Sequence, residues 1–207
     1  RQKDAFPFSF TSCTEAEAAW RERLPKVIEL SKAMAIAELE IKGEYNELRH
    51  DPLFAAYGAR GLPRDEIARF PSYLVCMHAT AADQYGELMT LLGAGVPVKA
   101  LVQFDDLLEN GAQLRPQAAL SMRSKQLADM AIGLGTVFVM QSAASNLVRS
   151  RERVLNGLAY DGPSLFSIYS GASAGAVPAY LRAAAAMEAR VFPAFTYDPA
   201  AGRNWAT

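Results

Sequence analysis

Three consecutive runs decide how this chain is read: Ser72-Tyr73-Leu74-Val75-Cys76-Met77, then Thr80 to Leu92, then Val96-Pro97-Val98-Lys99-Ala100-Leu101-Val102-Gln103. The first and third are short, mostly apolar and rich in Val and Leu, the composition of strands buried on both faces. The middle run has helical length and supplies enough chain for a crossover, so the three together predict a βαβ unit with parallel strands. Toward the C-terminus the alternation continues. A helix is expected around Ser121 to Gly133, a strand over Thr136 to Met140, a helix over Ser145 to Leu158 and a strand over Ser164 to Tyr169. A last helix near Val177 to Arg190 precedes the short run Pro193 to Tyr197. The pattern predicts an α/β fold, a three-layer α/β/α arrangement with a mostly parallel sheet and right-handed crossovers. Ligands of such sheets bind beyond the C-terminal ends of the strands, which directs attention to the loops starting at His78, Phe104, Gln141 and Ser170.

Toward the N-terminus the character changes. Residues 1–70 carry 23 charged side chains and the other 137 residues carry 20, which predicts a solvated helical extension over 1–70 and an α/β domain over 71–207. Thr14-Glu15-Ala16-Glu17 has the form of a capping box and predicts a helix opening near Glu15. Beyond it Trp20, Val27, Met34, Ile41 and Leu48 recur every seven residues, with Pro25 either kinking the helix or sitting in the first turn of a second one. Such a stripe either docks on its own domain or forms a dimer seam. Ser31 and Glu38 spoil the companion positions, which favours docking.

Composition narrows the function classes. The chain has 207 residues, 51% apolar and 21% charged, enough for one large domain with a full core. With Lys+Arg 21 against Asp+Glu 22, the net charge of -1 leaves no polybasic face for nucleic acid. The longest apolar stretches, such as Tyr73 to Met77 and Ala183 to Met187, fall far short of the roughly 20 residues of a membrane span. The opening Arg1-Gln2-Lys3-Asp4 has no basic-then-apolar leader, and the expected setting is cytoplasmic. Cys13 and Cys76 are the only cysteines, too few for an iron–sulfur cluster or a cysteine zinc site, and they leave a disulfide between them open. The two histidines, His50 and His78, limit imidazole chemistry within one chain.

Several loops carry candidate chemistry. Gly171-Ala172-Ser173-Ala174-Gly175 fits the Gly-x-Ser-x-Gly elbow of serine hydrolases between a strand and a helix. No histidine follows Ser173, so only a patatin-like Ser/Asp pairing with Asp198 remains, and the glycine-rich oxyanion segment that accompanies such dyads is missing. The simpler reading is that small residues let a strand enter a helix. Asp105-Asp106, followed by Glu109-Asn110-Gly111, places oxygen ligands after a strand, where a magnesium ion on a phosphorylated cofactor could be held; a solvated turn is the plainer alternative. His78 ends a strand at the same edge. Arg149, Arg151 and Arg153 do not all share one helix face and read as solvated surface.

Val137 to Ser142, Tyr160-Asp-Gly-Pro-Ser-Leu-Phe-Ser-Ile-Tyr-Ser170 and Phe192-Pro-Ala-Phe-Thr-Tyr-Asp-Pro199, taken in order, resemble the thiamine-diphosphate-binding domain of pyruvate (2-oxoacid):ferredoxin oxidoreductases. The resemblance runs back through Val96 to Val102 and covers roughly residues 71–207. It implies thiamine diphosphate with Mg as cofactor and a homodimer, or other subunits or domains of a 2-oxoacid oxidoreductase, as partners. The family's Gly-Asp-Gly, whose Asp holds the magnesium, is replaced by Met77-His78-Ala79-Thr80. Its Asn-Thr-Gly-Gly-Gln survives as Asn110-Gly111-Ala112-Gln113 with one residue deleted, and the cysteine expected soon after Tyr169-Ser170 is absent. The resemblance thus implies a domain or paralogue with an eroded site. Asn110, Gly111, Gln113 and His78 would bind the cofactor, and Asp105 and Asp106 would replace the lost metal ligand. A non-catalytic assembly module on the same fold is the alternative, and the Ser173 hydrolase the third.

Overall fold

The computed structural model describes residues 9–58, 66, 72–78, 84–105, 107, 123–172 and 176–202, with backbone alone at 84 and 123–126. Six strands form one sheet: β1 (Ser9–Phe10), β2 (Tyr73–His78), β3 (Val98–Phe104), β4 (Phe138–Ala143), β5 (Ser164–Tyr169) and β6 (Phe195–Tyr197). Their spatial order is β1-β2-β3-β5-β4-β6. The first five are parallel and β6 closes the far edge antiparallel to β4. The described helices are α1 (Cys13–Ile41), α2 (Glu47–Ala55), α3 (Gln84–Gly93), α4 (Arg123–Gly133), α5 (Arg151–Ala159) and α6 (Ala179–Glu188). The α/β architecture and the mostly parallel sheet agree with the alternation in the sequence.

Alternation along each strand builds two cores. Val75 and Met77, Val98, Ala100, Val102 and Phe104, Val139 and Ala143, and Leu165 and Tyr169 face a large cluster that also takes Trp20 of α1, Leu88, Leu91 and Leu92 of α3, Leu127, Ala128 and Ala131 of α4, and Ala183 of α6. Phe138, Met140, Phe166 and Ile168 face the other way, onto Val154 of α5 and Tyr160. Handedness explains the division. The chain moves one way across the sheet through β1, β2, β3 and β4, then steps back to place β5 between β3 and β4. A right-handed crossover made in the reverse direction must lie on the opposite face, which is where α5 packs.

The N-terminal third is more than an extension. β1 pairs with Leu74 and Val75 of β2, and Cys13, Ala16 and Trp20 are buried in the main core. Helix α1 runs through Pro25 for 29 residues, about 43 Å, so Pro25 does not sit in the first turn of a second helix. Its cap is Ser12, whose Oγ accepts from the N–H of Glu15, two residues before the expected box. Ser12 also has a glutamate three positions on, whereas Glu17 is drawn off into an ion pair with Arg21 at 2.6 Å. Only the first half of the heptad stripe is covered. Trp20 and Val27 are 6% and 4% exposed, while Met34, Ile41 and Leu48 reach 43%, 86% and 93%.

Other expectations shift. The strand placed at Thr136 to Met140 runs instead from Phe138 to Ala143, so Gln141 lies inside β4, 1% exposed, rather than opening a loop. The helix expected from Ser145 begins only at Arg151, after a 3₁₀ turn at Ala144–Asn146. Cys13 and Cys76 are both free thiols. Met77, whose Sδ accepts from Cys13 Sγ at 3.5 Å, faces α1, and pleating turns the adjacent Cys76 to the other side of the sheet.

Candidate functional site

The parallel strands end together at one edge of the sheet. His78 is opposite Gln103, and Phe104 is opposite Tyr169. The backbone ladder continues one residue further, since the N–H of Ser170 donates to the carbonyl of Phe104 at 2.8 Å. This fixes Ser170 against Asp105, the residue after β3. The Asp105 carboxylate accepts on Oδ1 from Ser170 Oγ at 2.6 Å and from Gln103 Nε2 at 2.7 Å. Its Oδ2 faces His78 Nδ1 at 3.7 Å. One carboxylate thus gathers groups from the ends of β2, β3 and β5.

The electrostatics follow from those contacts. Hydrogen bonds from Ser170 and then Gln103 hold the Asp105 carboxyl below its ordinary value, with a smaller contribution from His78, and they outweigh the opposing effect of partial burial. Both partners reach solvent, with side chains 65% exposed at His78 and 42% at Asp105, so an incoming molecule can touch either. Ser170 Oγ also accepts from the N–H of Ala172 at 3.0 Å, closing a tight turn as the chain leaves β5. At Gly171, φ is +73°, and a Cβ there would lie 2.3 Å from the Ala179 carbonyl oxygen, so the turn requires glycine. Arg182 donates to the carbonyls of Gly171 at 2.8 Å and Val177 at 2.9 Å, tying both ends of this connection to α6.

Of the residues expected to form the site, His78 and Asp105 are brought together. Asp106, Asn110, Gly111 and Gln113 lie outside the described residues, as does Ser173. Asp198 follows β6, which runs antiparallel with Tyr197 opposite Val139, and therefore lies at the N-terminal edge of β4. Gly171 and Ala172 leave the C-terminal edge of β5, so a six-residue strand length, roughly 20 Å, separates the two ends.

The sequence marked Ser170 only as the start of a candidate loop and did not mark Gln103 at all. A signal was present: each is a polar residue at the end of a buried parallel strand, the position from which side chains reach the ligand-binding edge. Beside them, Asn146 Nδ2 donates to Ser142 Oγ at 3.2 Å and to Ser150 Oγ at 2.9 Å, shaping the loop after β4. Lower in the sheet, Gln141 and Ser167 are cross-strand neighbours whose Oε1 and Oγ are buried without a partner among the described residues. Gln141 Nε2 donates to the Pro193 carbonyl at 2.9 Å and so anchors the approach to β6.

Among the described residues, the donors gathered around Asp105 do not by themselves fit a resident magnesium ion. Magnesium requires near-octahedral oxygen ligation at about 2.0–2.1 Å. Oδ1 of Asp105 is already engaged by two donors, and an imidazole stands against Oδ2. Among the described residues no three His, Cys, Asp or Glu side chains converge on a metal position. Comparison with known proteins returns no matching family model and no curated relative. The same edge can instead accept hydrogen bonds at Asp105 and exchange them at His78 and Ser170.

Proposed function

We propose that this chain is a domain or paralogue of a 2-oxoacid (pyruvate):ferredoxin oxidoreductase, a thiamine-diphosphate-type fold whose cofactor site is reduced to a hydrogen-bonding cleft. The observation that carries the reading is the convergence of His78, Gln103, Asp105 and Ser170 on the C-terminal edge of the parallel sheet. In this arrangement Asp105 would accept from N–H groups of a ligand, and His78 would lie beside its anionic part. Asn110, Gly111 and Gln113, which follow in the sequence, would complete the site. The chain would work beside a second copy or another subunit that supplies the electron acceptor, because its two cysteines cannot hold an iron–sulfur cluster.

Isothermal titration of the purified chain with thiamine diphosphate tests the reading, first with magnesium and then in excess chelator. Saturable binding at micromolar strength that Asn110→Ala weakens tenfold supports it. Absence of heat at millimolar ligand in both buffers sinks it.

A second reading, a non-catalytic assembly module, is favoured by one observation: Ile41 at the end of α1 and Leu48 at the start of α2 are large apolar side chains left 86% and 93% exposed. Deleting residues 1–48 would not test it, because Trp20 would be removed from the core. Ile41→Glu combined with Leu48→Glu is the cleaner variant. A fall in oligomeric mass by light scattering supports the assembly role, and an unchanged mass removes it.

A further inference from the structure

We infer that Asp105 is a tether that bonds the end of β3 to the end of β5, beside His78 at the end of β2, and not a metal ligand, so that this edge of the sheet takes its ligand without a divalent cation. The inference rests on the proposed function for the place of binding, but its chemistry comes from the cluster alone.

A carboxylate oxygen has two lone-pair directions. At Asp105 Oδ1 both are taken, by the Ser170 hydroxyl at 2.6 Å and the Gln103 amide at 2.7 Å. A metal at Oδ1 would have to displace a hydrogen bond that holds β5 to β3, or one that orients the side chain at the end of β3. The remaining oxygen, Oδ2, lies 3.7 Å from His78 Nδ1. A cation placed there would stand against the imidazole, which is a poor addition to a magnesium shell, since that ion selects hard oxygen donors. Each group around the carboxylate also comes from a different strand end: His78 from β2, Gln103 from β3 and Ser170 after β5. Joining adjacent parallel strands at the edge where the ladder stops is what a structural tether does. It holds the strand ends in one arrangement before any ligand arrives, as a metal would otherwise do.

Two measurements on the full chain decide the matter. The first uses Mn²⁺ alone, followed by electron paramagnetic resonance as a stand-in for magnesium. The expected result is no bound Mn²⁺ that depends on Asp105 up to about 1 mM; a site that Asp105→Asn abolishes overturns the inference. A Mn²⁺ site that survives Asp105→Asn leaves the tether standing.

The second follows thermal unfolding of Asp105→Ala, Ser170→Ala and the double variant. A tether predicts that each single change lowers Tm by about 4 °C and that the double change lowers it no further than the larger single one. Strict additivity, or singles indistinguishable from the parent, overturns it. Thiamine diphosphate titrated in chelator separates this inference from the functional reading. Equal affinity with and without magnesium supports both, and binding only with magnesium overturns the inference alone. No binding in either buffer overturns the functional reading together with the claim of metal-free binding, leaving the Mn²⁺ and Tm results to judge Asp105 itself.

Discussion

Lys99 is the residue whose place is least expected from its chemistry. It is 2% exposed at the start of β3, and its ammonium donates to the carbonyls of Tyr160 and of Gly162, the latter at 2.8 Å, and to Ser164 Oγ at 3.2 Å. The Tyr160 ring lies below it, 5.7 Å from Nζ to the ring centre. These contacts pin the turn between α5 and β5, where two backbone carbonyls would otherwise be buried without donors. Burial pushes the Lys99 pKa down from 10.5 to about 8, opposed by the charge of Asp161. Between pH 8 and 10.5 the unfolded chain therefore holds more protons at this position than the folded one, and stability rises with pH across that window. Subtracting the urea-unfolding profile of Lys99→Met from that of the parent is expected to leave a positive slope there, approaching about 1.4 kcal/mol per pH unit, and none below pH 7.

The cysteines give a second contrast at the same scale. Burial, with Glu87 adding to it, pushes the Cys13 thiol up to about 11, whereas Cys76 is exposed on the opposite face of β2. A maleimide at neutral pH is expected to label the native chain once, at Cys76, and to reach Cys13 only after denaturation. Two labels in native buffer would contradict this packing. None of these residues announces its environment in the sequence. Lys99 reads as the one charged residue in a mostly apolar strand, and only the turn that comes to lie over it makes burial tolerable.

Helices and strands differ in how much of themselves the sequence discloses. Strand β5 was legible to the residue, because Ser164 to Tyr169 is bounded by Gly162-Pro163 and by Ser170-Gly171. Helix α5 was legible in kind but not in its start. Its packing is set by Gly157, where a Cβ would lie 2.5 Å from Phe138 Cε1 and 2.7 Å from Phe166 Cζ. Gly157→Ala gains up to about 1 kcal/mol of helix propensity but must displace two core rings, and the net expectation is a loss of about 1–2 kcal/mol. A lower urea midpoint at unchanged m-value would register it, and a stabilised variant would show that the rings move aside cheaply. Helix α1 shows the opposite limit. Its seven-residue spacing foretold a helix, yet Trp20 and Ile41, three heptads apart, sit in core and solvent respectively. Replacing Ile41 with Glu is expected to change stability by no more than about 0.5 kcal/mol, since the side chain buries little in the monomer.

At the scale of the molecule, the division between residues 1–70 and 71–207 follows charge but not packing. Trp20 meets the Tyr73 ring edge-on at 5.6 Å between centroids, and β1 supplies the outer partner of β2. The two segments should therefore melt as one unit. Trp20→Ala is expected to cost about 3–5 kcal/mol in a single cooperative transition, and a chain beginning at Pro71 to lack such a transition altogether. A cooperative melt of that shortened chain would restore an independent α/β domain.

By itself the sequence determined the class of the fold and named two residues, His78 and Asp105, that the fold brings together. Strand-length apolar runs alternating with helix-length segments admit few arrangements besides a parallel sheet, because crossovers must carry helices and chirality selects their hand. His78 and Asp105 could be named because both end such runs. Tertiary structure alone decided that Asp105 spends one oxygen on Gln103 and Ser170, and that β5 enters between β3 and β4. It also decided that Gln141 lies in the core, that Lys99 lies beneath a turn, and that half of one heptad stripe stays bare. These depend on which residues far apart in the chain become neighbours. Local periodicity carries the face on which a side chain points, but not what it finds there.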